Sequence, residues 1–166
     1  MRWLILLALP LAVACGPKTK NLSDAEFDHY YALRVYMEEE QIETYLKKET
    51  QEERDAYLKE LGLWDRFYNY SAPVREAIVR GDVEKGWTQD MVLMSWGHPY
   101  QLRKLAGRQF ERSEQWVFRF EVGEDDAIRV WTPGSKTYYK AKRLFVREVT
   151  LDDGKVTEIV EKEAHW

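Results

Sequence analysis

Cysteine is nearly absent. The chain has one, Cys15, so no disulfide can form within it and no cysteine pair can hold zinc. Histidine is scarce as well. His29, His98 and His165 fall on a helical stretch, in a turn and at the end of the sequence, with no metal-ligand spacing between them. No Gly-x-Ser-x-Gly turn surrounds any of Ser23, Ser71, Ser95, Ser113 or Ser135, which removes the strand-turn-helix nucleophile. Nor is there a basic stripe: Lys and Arg interleave with Asp and Glu, and the net charge is −4, so no nucleic-acid partner is expected. Beyond Lys18 and Lys20 there is no polybasic segment to hold anionic lipid. Internal repeats and low-complexity tracts are missing. What is plentiful is aromatic side chains, with seven Trp and ten Tyr, which means either a ring-rich core or a recognition surface.

The one long apolar run is "WLILLALPLAVA", about 12 residues directly after Met1-Arg2. It is too short for a bilayer span, which needs about 20 residues, and has the length of a signal-peptide core. It ends "LAVAC", with the small residues Ala12 and Ala14 before Cys15, and this resembles the bacterial lipobox. The expectation is a signal peptide over 1–14, cut before a Cys15 that is then acylated. Gly16, in place of Asp, implies sorting to the outer membrane. Several acyl chains anchor stably where one does not. "GPKTKN" reads as a polar tether, giving a tether over 15–22. Removing Arg2 with the signal takes the net charge to −5. The remaining chain has a one-domain length.

Helical signals dominate from 23 to 80. Ser23 with Glu26 makes a capping box, and Phe27, Tyr30, Tyr31, Leu33, Val35, Tyr36, Ile42, Tyr45 and Leu46 follow at steps of three and four, which predicts one long helix to about Lys48. Thr50 with Glu53 opens a second helix, with Tyr57, Leu58 and Leu61 inward and Gly62 as its stop. "LWDRFYNY" is an aromatic connector. Ser71 and Pro73 open a third helix, ended by Gly81. From 81 to 166 one more short helix precedes strands. "EQWVFRFEV" alternates, with Trp116, Phe118 and Phe120 on one face. "GEDDA" is a turn, "IRVW" a strand, "YYKAKRLFVREVTL" strand-like, and "DDGK" a tight hairpin turn before a last strand. Helices first and antiparallel strands last predict an α+β fold, with the N-terminal helices packed on one face of a small C-terminal antiparallel sheet.

The stretch "GWTQDMVLMSWGHP" is where chemistry and packing compete. Ser95 near His98, with Asp90 one helical turn and more away, is the only suggestive nucleophile-and-base grouping. The alternative is architecture: Gly86 turns the chain, Thr88 caps a helix, Met91, Val92 and Trp96 dock on the sheet, and Gly97 and Pro99 end it. Ser95 then lies on the helix surface. Trp87 either clamps the helix start or stands exposed as a partner anchor. Asp125-Asp126 and Asp152-Asp153 read as turn residues, and Glu111 and Glu114, beside Arg108 and Arg112, as solvated charges. Tyr30, Tyr31 and Tyr36, with "EEEQ" (Glu38 to Gln41), form either a partner-binding ridge or a stripe packed on the sheet with the acids facing water.

Gly86, Thr88, Val92, Gly97 and Pro99 have the spacing G-x-T-x-x-x-V-x-x-x-x-G-x-P, and "EQWVFRF", carrying Trp116 and Phe118, follows after a short loop. "DDGKVTEI" supplies a later hairpin. Together these resemble the SmpA/OmlA (BamE-like) domain of small outer-membrane lipoproteins, over about Gly81 to Glu121 and more loosely Arg143 to Val160. Trp96 stands where that family usually has Leu, and 23–70 and the insert around Asp125 to Lys136 are additions. The resemblance implies a helix pair before a three-stranded antiparallel sheet, no cofactor, and a non-enzymatic, lipid-anchored scaffold on the periplasmic face of the outer membrane that meets another envelope protein near the barrel-assembly machinery. Related folds in β-lactamase-inhibitor proteins bind enzymes through the sheet face, which leaves a second expectation: an inhibitor or sequestering module for a periplasmic enzyme or ligand.

Overall fold

The computed structural model describes residues 19, 22–131 and 141–165. The signal segment, Cys15, nearly all of the tether and residues 132–140 of the insert lie outside them. Among the described residues the order is α1 (Asp24–Leu33), a 3₁₀ turn (Arg34–Tyr36), α2 (Glu39–Lys47), α3 (Gln51–Glu60), α4 (Trp64–Tyr68), α5 (Ala72–Arg80) and α6 (Gln89–Trp96). Then come β1 (Gln101–Lys104), β2 (Ser113–Val122), β3 (Ile128–Trp131), β4 (Arg143–Asp152) and β5 (Lys155–Glu163). The fold is α+β, with helices leading and a five-stranded antiparallel sheet closing the described residues, two strands more than the family resemblance implied.

The helices start where local chemistry satisfies their free N–H groups. Ser23 and Glu26 form the reciprocal box at α1, and Thr50 and Glu53 the one at α3. Gly81, at φ 83°, ends α5 in the left-handed region. The expected single helix to Lys48 is not one helix. It tightens at Arg34–Tyr36 and breaks at Met37, which is extended (φ −104°, ψ 136°), and α2 restarts with Glu38 and Gln41 as a new capping box. The break has a tertiary cause. Tyr36 donates its hydroxyl to Asp90 Oδ1 at 2.6 Å on α6, under the guanidinium of Arg66, while Met37 is buried. The connector "LWDRFYNY" holds α4.

In the sheet, β1, β2, β4 and β5 lie side by side, and β3 pairs with the second half of β2 along the edge whose first half pairs with β1. β1 was not expected from the sequence. Its four residues are all exposed, so they carry no apolar alternation; the ladder to Gln115 and its neighbours makes the strand. Asp153 (φ 47°) and Gly154 (φ 76°) form the tight β4–β5 turn, the two positive φ values a type I′ turn requires.

Register assigns the faces. Trp116 lies opposite Val149, and Phe120 opposite Phe145 and Val130. These side chains belong to one core with Leu33, Tyr45, Leu58, Ile78, Val92 and Trp96 from the helices. Segment 23–70 therefore shares its core with the sheet domain. The bridging element is α6, whose Trp96 ring meets Phe118 and Phe120 edge-on at 5.2 and 5.1 Å.

Candidate functional site

The residues singled out in "GWTQDMVLMSWGHP" are all in place, and each has a structural partner. Gly86 (φ 89°) sends the chain alongside the β4–β5 hairpin, where its N–H donates to Val156 O at 2.7 Å. Val156 N–H donates to Trp87 O at 2.8 Å, and Gln89 N–H to Gly154 O at 2.9 Å. This short run of sheet-like bonds seats the helix start on the hairpin. Thr88 accepts from Met91 N–H as the cap. Met91, Val92 and Trp96 are buried, and the Trp96 indole donates to Gly81 O at 2.9 Å. Gly97 ends α6 at φ 76°, ψ −157°, a region essentially confined to glycine. Pro99 follows directly before Tyr100 and β1.

Two expectations for this stretch are corrected. Trp87 is buried, which takes it off the surface a partner could touch. Ser95 is fully buried rather than on the helix surface; its hydroxyl donates to Ile78 O at 2.9 Å, tying α6 to α5. His98 is exposed and faces Val35 O at 3.2 Å, so Ser95 and His98 are held apart by their separate partners. Asp90 is engaged by Tyr36 and by Arg66 at 2.8 Å. Burial, and then the bond to Asp90, push the Tyr36 hydroxyl well above the usual tyrosine range. Tyr30 stacks on Tyr45 at 6.0 Å, and Tyr31 donates to Ser95 O at 2.9 Å. Both are half-buried packing residues, and the exposed ring of α1 is Phe27.

Two acids read as solvent-facing or turn residues are buried. Glu114 accepts from the Trp116 indole at 3.1 Å and from Arg112 at 3.0 Å. Asp152 is the last residue of β4. It accepts two bonds from Arg108 (2.9 and 2.6 Å), one from Ser113 and one from Thr157. The Arg108 bonds hold its carboxyl well below the usual range, helped by the two hydroxyls against the opposing effect of burial. Asp153 and Asp125 are turn residues as expected; Asp125 accepts from Ala127 N–H.

The surface feature missed in the sequence is the sheet face turned away from the helices. Alternation places Val117, Arg119, Leu144, Val146, Val160 and Trp131 there; Val117 is buried and the other five are half-buried, and none belongs to the core shared with the helices. At its edge the Arg119 guanidinium lies 3.5 Å from the centre of the Tyr100 ring and 5.3 Å from that of Trp131, with the two rings 5.7 Å apart. Tyr100 is 44% exposed. Among the described residues no helix covers this face. The signal was present in "EQWVFRFEV", whose second set of alternating positions includes Val117 and Arg119. What the sequence lacked was the register that brings Tyr100 and Trp131 beside them.

No protein-family model, no curated protein and no solved structure matches this chain. The likeness to the SmpA/OmlA domain therefore rests on the residues quoted for it. Among the described residues, no helix is long and apolar enough to cross a membrane, and no three His, Cys, Asp or Glu side chains group to hold a metal.

Proposed function

We propose that the chain is a lipid-anchored, non-enzymatic envelope protein, held to the outer membrane through Cys15, that binds another envelope protein through the open face of its sheet. The observation that carries this reading is the Tyr100–Arg119–Trp131 cluster on a face that no helix covers among the described residues. Tyr, Trp and Arg dominate interface energetics, because each offers a large, stiff contact area with a polar end. A role beside the barrel-assembly machinery is the specific form that the SmpA/OmlA likeness suggests. Inhibition or sequestration of a periplasmic enzyme is the second form, and it would use the same face.

The test is site-specific photo-crosslinking in intact envelopes, with the probe at position 131 or 146 and, as control, at the exposed Glu52 of α3. One discrete adduct from the sheet positions and none from position 52 is expected. Assembly subunits in that adduct support the scaffold form, and one soluble enzyme the inhibitory form. Equal adducts from all three positions would remove the sheet face as the docking surface.

A further inference from the structure

Two hollows flank the contact between α1 and α6, and they share Arg34 and Trp96 as a common wall. The first, of 360 Å³, opens between the helical layer and the β3 end of the sheet, and its lining includes Tyr31, Arg80, Phe120, Ile128 and Arg147. The second, of 340 Å³, is walled by Val35, Ile42, Gly97, His98 and Pro99. Each falls in the range of about 300–1,000 Å³ typical of small-molecule sites. They differ in chemistry. The first is rich in guanidinium groups; the second is mainly aliphatic, with its polar contribution from His98 and Arg34.

Charge decides what the pair can hold. Arg80 pairs with Asp82 at 2.8 Å, Arg147 with Glu161 at 3.0 Å, and Arg129 with Asp125. Arg34 is the exception. Its Nη1 donates to Tyr31 O at 3.1 Å and its guanidinium lies 4.0 Å from the centre of the Tyr31 ring, but it has no carboxylate partner among the described residues. A half-buried guanidinium with donors to spare favours one anionic oxygen group. Arg147, paired with Glu161, lies over Phe120 and 5.4 Å from Trp96 on the sheet side, which leaves Arg34 to meet the anion. Aliphatic walls on the other side of Arg34 exclude a second charge.

We propose that the second hollow, with Arg34 at its boundary with the first, binds an organic monoanion with an apolar tail, of the size of a medium-chain fatty acid. The carboxylate meets Arg34, which lines this hollow as well as the first, and the tail lies along Val35, Ile42 and Pro99. The site is on the helical side of the sheet, so it is separate from the open face assigned to a protein partner and stands or falls independently of that assignment.

The probe is a dodecanoate carrying a terminal diazirine, irradiated with the full chain and mapped by peptide mass spectrometry. Saturable labelling within 35–42 or 97–99 is expected, displaced by dodecanoate and not by dodecanol. Arg34→Gln should cut labelling about tenfold or more, the loss of one charge-assisted bond, and Arg34→Lys should recover part of it. Val35→Glu, which leaves Arg34 in place, should abolish labelling by setting a like charge against the tail hollow. Thermal melting of each variant shows whether it is folded. Labelling centred on Tyr100 and Trp131, equal displacement by dodecanol, or unchanged labelling of a folded Arg34→Gln protein would overturn the proposal.

Discussion

Glu26 shows how one side chain can tie two elements together. One carboxylate oxygen accepts from the Ser23 N–H and hydroxyl, both at 2.8 Å, closing the start of α1. The other accepts from Arg54 of α3 at 2.5 Å, with both side chains 6% exposed. Burial alone would raise the carboxyl's pKa; the Ser23 and Arg54 bonds outweigh it, and the net shift is downward. Removing one member of a buried pair strands the other, which costs about 3–5 kcal/mol. Glu26→Gln should therefore lower stability by that order in urea unfolding, whereas the nearby exposed Glu52→Gln should leave it nearly unchanged. Asp152 makes a pH-dependent contribution. Its folded pKa is depressed by Arg108, so the stability it contributes is full above the unfolded value of about 3.9 and is lost as pH falls through the folded one. The urea midpoint of the parent should drop steeply below about pH 4, and Asp152→Asn should start lower at pH 7 and flatten that drop. His29 adds a milder slope at higher pH. Burial lowers its pKa against the raising effect of Asp55. The unfolded chain thus binds its proton first, and stability declines as pH falls below about 6.5.

At the scale of elements, α6 is defined by its two ends. Gly97 has open space where a Cβ would go, with nothing within 4 Å. The cost of replacing it lies in the backbone, which holds φ 76° with ψ −157°. Gly97→Ala should destabilise by about 1–3 kcal/mol through strain alone, and Thr88→Ala by about 1 kcal/mol through the lost cap. The two positions share no partner, so the double variant should lose close to the sum in chemical denaturation. Both ends were legible in the sequence, as were the Ser23 and Thr50 boxes and the Asp153-Gly154 hairpin, because each depends on residues a few positions apart. Features with distant partners were not legible. The break at Met37 needs Asp90 to capture Tyr36, β1 needs the ladder of β2, and the burial of Asp152 needs Arg108 from the loop between β1 and β2. A sequence shows the Asp152-Asp153 pair as turn chemistry, and only the register of β2 against β4 separates a buried acid from its exposed neighbour.

For the whole molecule, the ring-rich composition resolves into two populations with different work. Trp96, Phe118, Phe120 and Phe145 fill the seam between helices and sheet, with Phe120 and Phe145 stacked 5.0 Å apart. Trp96→Ala leaves a cavity among them and should cost about 3–5 kcal/mol, enough to depress any activity of the chain through misfolding. Tyr100 and Trp131 lie across the sheet from that seam, in contact with Arg119 and outside the shared core. Their contribution to stability is correspondingly small, since substitutions away from core, caps and buried networks usually change it by about 0.5 kcal/mol or less. The combined Tyr100→Ala, Trp131→Ala protein should therefore melt within a few degrees of the parent, and under the proposed docking it should lose the crosslinked adduct from a probe at position 146. Anchoring supplies the third arm. If acylated Cys15 holds the chain at the membrane, Cys15→Ser should move it out of the membrane fraction and abolish incorporation of an alkyne-palmitate label, leaving the melting temperature unchanged. A double-alanine protein that stays folded and membrane-bound yet still forms the full adduct would show that the open face is a bystander, and docking would then have to be sought on the helical side, where Phe27 is exposed.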